Sequence, residues 1–164
     1  MAEFTGDPRA QRALDAYRNM VRATESLGAL LSRQLATFGL TLSQFELLAA
    51  LLQGGPLSQA ELVEALLSSN SNMNLVTGNL HKRGLVVRRA HERDRRKVMV
   101  HLTPAGQKLI AKVFPRHCKV VRARMSALLD REQETLRRLC EKLDLGNVMK
   151  FVSELTAVDE GDEP

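Results

Sequence analysis

The chain has 164 residues, a formal net charge of +5, 44% hydrophobic and 4% aromatic residues, and no Trp, which allows one domain with a sizeable, mostly aliphatic core. No run approaches the roughly 20 apolar residues needed to cross a bilayer, and no apolar stretch follows Met1 as a signal peptide would require; a cytoplasmic, non-membrane protein is expected, and Cys118 and Cys140 without CxxC spacing suit a reducing compartment. The charge is uneven: His81 to Arg124 holds 14 Lys and Arg against Glu92 and Asp94, net +12, leaving −7 elsewhere, which is either a field for a polyanion or a solvated helix face.

Residues 1–7 read as a flexible start. Pro8 suits the first turn of a helix, and apolar residues recur at helical spacing from Leu14, Tyr17, Met20 and Val21 to Leu27, Leu30, Leu31 and Leu35, with Gly39 as the stop. Two short helices follow. Ser43 with Glu46 forms a capping box with Leu42 and Leu47 as staple, and Ser58 with Glu61 repeats it with Leu57 and Leu62. Gln53-Gly54-Gly55-Pro56 separates them. Phe45, Leu48, Leu51 and Leu52 form the expected buried stripe of one helix, and Leu62, Val63, Leu66 and Leu67 that of the next. A fourth helix starts in the polar run Ser68 to Asn74, buries Met73, Val76 and Leu80, and ends at Gly84.

Leu85–Arg89 and Val98–Leu102 have strand character around an almost wholly charged segment, a β-hairpin with a long tip. Thr103 caps a further helix with Pro104 at its first position, running to about Leu129 with Pro115 as an expected kink. Asp130 and Gln133 open a last amphipathic helix carrying Leu136, Leu139, Leu143, Val148, Val152 and Leu155, bent at Gly146, with Cys140 on its apolar face. An acidic tail, 159–164, closes the chain. The expected fold is mainly α with a small β-hairpin wing, and the third and fourth helices form a helix-turn-helix.

In that arrangement the fourth helix presents Ser71, Asn74, Leu75, Gly78 and Lys82 away from its buried face, with Asn70 nearby and Asn72 in the same polar run. Asn pairs bidentately with adenine, Ser bonds several bases, and Leu75 suits a thymine methyl. Ser68 or Ser69 is needed as a cap, but capping does not account for the whole run. At the hairpin tip Arg93, Arg95, Arg96 and Lys97 surround Asp94. Arg88 and Arg89 are placed for phosphates, adding affinity without sequence information.

Leu40 to Ile110 resembles the MarR family of winged helix-turn-helix transcriptional regulators. The resemblance rests on Asp94-Arg95-Arg96 followed by Val100-His101-Leu102-Thr103-Pro104-Ala105-Gly106, and on Lys82-Arg83-Gly84-Leu85-Val86 at the helix exit. It implies a homodimer built by terminal helices (8–38 and 104–158) around a DNA-binding lobe (39–103), reading a pseudopalindromic operator of double-stranded DNA, in the manner of a repressor in a stress response. It also implies that Arg96 enters the minor groove, braced by Asp94. The family often carries a basic residue where Leu75 stands, which shifts load to the wing.

Family members commonly sense a phenolic or other amphipathic small molecule between the dimer helices and the lobe. Tyr17, Met20, Phe38, Phe45, Phe114 and His117 are the candidate lining, with plain core the commoner role of such residues. Asn72-Met73-Asn74 and Phe114-Pro115-Arg116-His117 look most like members linked to quinone or catechol stress. Cys118, between Arg116 and Lys119, is a candidate oxidation sensor or a packing residue. No GxSxG, HExxH or Gly-rich phosphate loop is present, and His81, His91, His101 and His117 lack ligand spacing, so no enzyme, cofactor or metal is expected. The rival function is a winged-helix protein-interaction module, against which the arginine cluster speaks.

Overall fold

The computed structural model describes residues 7–66, 68–91 and 97–143. In chain order these form α1 (Pro8–Ala36), α2 (Leu42–Gly54), β1 (Leu57–Ser58), α3 (Gln59–Ala65), α4 (Asn70–Lys82), β2 (Val86–Ala90), β3 (Val98–Leu102), α5 (Pro104–Met125) and α6 (Asp130–Lys142). Leu67, Arg93, Asp94, Arg95, Arg96, Gly146, Val148, Val152, Leu155 and the acidic tail lie outside the described residues.

Helix boundaries follow from where the end groups of the backbone find partners. Asp7 is the N-cap of α1, its carboxylate accepting the Arg9 N–H at 3.0 Å, so it belongs to the helix and not to the preceding tail. α1 ends at Ala36, and the turn through Gly39 closes it with Phe38 N to Leu35 O at 2.9 Å, Gly39 N to Ala36 O at 2.9 Å and Leu40 N to Leu35 O at 3.2 Å. The α2 cap differs from the expected Ser43–Glu46 box. Thr41 caps the helix, accepting from Gln44 N at 3.3 Å while Thr41 N donates to Gln44 Oε1 at 3.2 Å. The helix thus starts two residues before the expected first turn, and Leu40 and Phe45, both buried, hold the staple positions. The Ser58–Glu61 box at α3 is present as read, with bonds of 3.3 and 2.7 Å.

Residues Met1–Val121 form one compact unit and Arg122–Pro164 a second. The core of the first gathers Leu35, Leu40, Phe45, Leu47, Leu48, Leu51, Leu62, Met73, Val76, Leu80, Val86, Val100, Ile110 and Val113, with Val63 and Leu66 packed against it. Each fully buried aliphatic side chain stabilises the fold by roughly 1.5–3 kcal/mol. Leu47 takes a buried position, and Leu52, expected in the stripe, is exposed.

The sheet has three antiparallel strands in the order β1-β3-β2. β2 and β3 pair from Val86↔Leu102 to Ala90↔Val98, and β1 adds Leu57↔Val100 and Ser58↔Met99. Leu85 lies in the turn before β2 and not in the strand. α5 ends at Met125, four residues short of expectation, with Pro115 inside it. In the second unit, Leu129 N bonds Glu132 Oε2 at 2.8 Å to start α6. None of the α6 residues is buried. Cys140, expected in the core, is exposed, as is Cys118.

Candidate nucleic-acid interface

Ser69 caps α4, its Oγ accepting from Asn72 N at 3.2 Å, and Ser68 Oγ accepts from Asn72 Nδ2 at 2.9 Å. Asn72 is therefore partly committed to holding the helix start. Met73, Val76, Thr77 and Leu80 are buried beneath α4. That anchoring leaves Asn70, Ser71, Asn74, Leu75 and Lys82 exposed on the outside, with Leu75 at 64% exposure. A branched apolar side chain so exposed amid Ser and Asn gains nothing from water and suits an apolar contact such as a thymine methyl. No Asp or Glu lies in α4, so the helix itself places no carboxylate at the positive end of its dipole.

The exit from α4 is fastened on two sides. Gly84 takes φ 68°, a left-handed conformation that costs any residue with a Cβ more. It permits Gly84 N to bond His81 O at 2.9 Å and Leu85 N to bond Leu80 O at 3.0 Å. On one side Arg83 Nη1 donates to Gly39 O at 2.8 Å and Gln44 Oε1 at 3.1 Å. On the other, Thr103 Oγ1 donates to Gly84 O at 2.6 Å and accepts from Gly106 N at 3.1 Å, capping α5. A Cβ on Gly106 would lie 2.0 Å from Leu85 O. The Leu-Thr-x-x-Gly pattern of 102–106 thus has a local cause: a hydroxyl that clamps the α4 exit and a glycine that lets α5 approach it.

The wing stands beside this exit. His91 N donates to Lys97 O at 2.8 Å, closing the hairpin below its tip. Arg88, Arg89 and Lys97 are exposed, and strand alternation sends Arg88 and Arg89 to opposite faces. Arg96, expected in the minor groove, and Asp94, expected to brace it, lie outside the described residues with Arg93 and Arg95. Near this tip end of the hairpin Glu61 is held below the usual carboxylate range, first by its bonds to Ser58, then by the charges of Lys97 and His91.

The candidate effector residues separate into groups. Phe45 meets Phe114 with ring centroids 6.2 Å apart and His117 at 4.1 Å. Burial pushes the His117 imidazole down, and His117 Nδ1 is buried without a hydrogen-bond partner. Phe38 lies instead under Lys112 and Arg116, at 6.0 and 5.4 Å. Tyr17 and Met20 are exposed on α1. Beside Phe45 opens a groove of about 520 Å³ lined by Glu46, Ala49, Ala50, Gln53, Leu57, Ala65 and Leu66. Burial raises the Glu46 carboxyl above its ordinary range. Sequence spacing missed this residue because Glu46 also fits a capping box.

A helix-turn-helix with a capped, acid-free second helix and a basic β-hairpin beside it defines a winged-helix DNA-binding protein. The profile of the MarR family matches residues 38–97. The regulator YkoM of Bacillus subtilis is 29% identical over 136 residues, covering 83% of this chain and 88% of that protein. The repressor NicR of Pseudomonas putida is 32% identical over 115 residues, 70% of this chain and 73% of that one. The structure of Bordetella bronchiseptica BpsR, whose DNA binding is regulated by 6-hydroxynicotinic acid, superposes with a TM-score of 0.71 at 26% identity, over 79% of this chain and 98% of that one. The chain belongs to the MarR family of transcriptional regulators. Among the described residues no group of three His, Cys, Asp or Glu could hold a metal ion, and no helix is long and apolar enough to cross a membrane.

Proposed function

We propose that this regulator is a homodimeric repressor that acts in the cytoplasm, without catalytic turnover, and reads a pseudopalindromic operator. In this reading α4 enters the major groove with Asn70, Ser71, Asn72, Asn74 and Leu75 toward base edges and Lys82 toward phosphate. Arg88 meets the backbone, and Arg93, Asp94, Arg95 and Arg96 form a wing whose Arg96 enters the minor groove, where a narrow groove concentrates negative potential. The observation that carries the reading is the α4 surface itself: four apolar or small side chains buried beneath it and an acid-free Asn/Ser/Leu face left outside.

The terminal helices support the dimer. Along α1 only Leu31 and Leu35 are buried, and Leu136 and Leu139 of α6 and Leu143 at its C-cap are 41, 51 and 60% exposed. Those two apolar faces want a partner, and residues 8–38 and 104–158 are the proposed dimer helices around the lobe 39–103.

Release by a small molecule at the Phe45 groove completes the proposal. BpsR responds to an aromatic carboxylate. Here the half-buried Glu46 disfavours a second carboxylate, so a phenolic compound, or the hydroquinone form of a quinone-like one, whose hydroxyl donates to Glu46 is the better fit.

Selection of bound duplexes from a random pool tests the DNA reading. Asn74→Ala should change the preferred base at one position per half-site, at a cost of about 1–3 kcal/mol. Arg96→Ala should weaken binding without moving that preference in the major groove. Unchanged affinity and preference in both variants would sink the assignment.

A further inference from the structure

Arg83 sits inside the basic block, one residue past α4, where charge alone would count it among the phosphate contacts. Its guanidinium is used otherwise. Nη1 donates to Gly39 O at 2.8 Å and to Gln44 Oε1 at 3.1 Å. Gly39 closes α1, so the cation lies at the carbonyl end of a 29-residue helix, the favourable end of its dipole. Gln44 Oε1 is the acceptor that also takes the Thr41 N–H in the α2 cap. Arg83 is itself the C-cap residue of α4, its N–H bonded to Asn79 O at 3.2 Å. One side chain therefore joins three helix ends: the last turn of α1, the first turn of α2 and the exit of α4.

The opposite side of that exit is held by α5, through Thr103 Oγ1 on Gly84 O at 2.6 Å and Thr103 N on Leu85 O at 3.1 Å. The backbone from Arg83 to Leu85 is bracketed between the α1–α2 turn and α5. Helix α4 is anchored along its length by apolar contacts, which are non-directional and tolerate small slides. The polar bonds at its exit are directional and set its axial position.

We infer that Arg83 is a positioning residue for specific DNA reading, holding α4 in the axial position at which its N-terminal side chains meet base edges, and that it does not itself contact phosphate. This rests on α4 being the reading helix. It also gives the helices proposed for dimerisation a direct grip on the reading helix, since α1 holds one end of the tie.

The test uses the full chain and two duplexes of about 30 base pairs, long enough for two half-sites. One is selected by the protein from a random pool and the other is unselected, and each is titrated at several salt concentrations. Loss of a phosphate contact weakens binding to every sequence and lowers the salt slope by about one. Loss of a positioning bond does neither. Arg83→Ala should weaken binding to the selected duplex about tenfold, the scale of one charge-assisted hydrogen bond, leaving the unselected duplex and the salt slope unchanged. Gln44→Ala, on a residue remote in sequence from α4, should give a smaller loss in the same pattern, and the two losses should not add. Gln44→Ala alone carries the test if Arg83→Ala does not fold.

A reduced slope, equal losses on both duplexes, or additive losses would each overturn the inference, as would a variant that melts earlier yet binds normally. Asn74→Ala separates the two levels. If it also leaves the selected duplex bound as before, α4 is not the reading helix; if it weakens binding while Arg83→Ala does not, only the tie fails.

Discussion

At the scale of single residues the structure separates side chains that hold the fold from those left for function. Gly106 is among the holders: an added Cβ would lie 2.0 Å from Leu85 O, 3.0 Å from Leu85 C and 3.3 Å from Leu102 Cδ2. The first of these is backbone, fixed by Thr103 N at 3.1 Å, so the clash cannot be relieved by a rotamer change. Gly106→Ala should destabilise by about 3 kcal/mol, the upper range of overpacking, measured by urea unfolding at fixed protein concentration. Gly78→Ala makes the contrast. Nothing lies within 4 Å of its Cβ, so it should be neutral or stabilise by up to about 1 kcal/mol, as Ala does for Gly in a helix. A loss near zero at Gly106 would mean that α5 does not approach the α4 exit as described.

At the scale of elements, the sequence was most legible where a periodic apolar pattern met a stop residue. Met73, Val76 and Leu80 predicted the buried face of α4, and Gly39 and Gly84 predicted the ends of α1 and α4. The α2 start was less legible because two boxes overlap: Thr41–Gln44 and Ser43–Glu46 both satisfy the S/T-x-x-E/Q pattern, and the turn at Gly39 decides between them by leaving Thr41 extended. β1 was missed because two residues carry no period. Leu57 and Ser58 were read for the helix they precede, while their backbone also pairs with β3. Of the candidate site, the α4 face was readable from composition. The grip of Arg83 was not, because its partners Gly39 and Gln44 lie 44 and 39 residues away. The start of α4 is the element on which the proposed reading depends, and Ser69 is its cap. Ser69→Ala should cost about 1 kcal/mol and speed amide hydrogen exchange in residues 70–73 before it affects the rest of α4. Uniform protection along the helix would show that Ser68 or a neighbour supplies the cap.

At the scale of the molecule, the proposed dimer and the charge pattern make one linked prediction. The block from His81 to Arg124 carries +12 against −7 for the rest, and each Lys or Arg that displaces a counterion from DNA steepens the salt dependence of binding. A monomer would bring one such block to the duplex, and a dimer two, spaced about one helical turn apart. The apolar positions Leu136 and Leu139 lie exposed on α6 at 41 and 51%, on a helix that carries none of the residues proposed to meet DNA. Changing both to Glu places charge where the partner's apolar surface is proposed to sit, at a desolvation cost that an exposed position on a monomer does not incur. The double variant should elute as a monomer by light scattering, with a salt slope about half that of the parent, because half the phosphate contacts are gone. Its affinity should fall by about 10²-fold or more, since the second half-site is no longer bound from within the same complex. A variant that becomes monomeric yet keeps the full slope and affinity would place all the phosphate contacts on one chain, and the operator would then have no reason to be a pseudopalindrome.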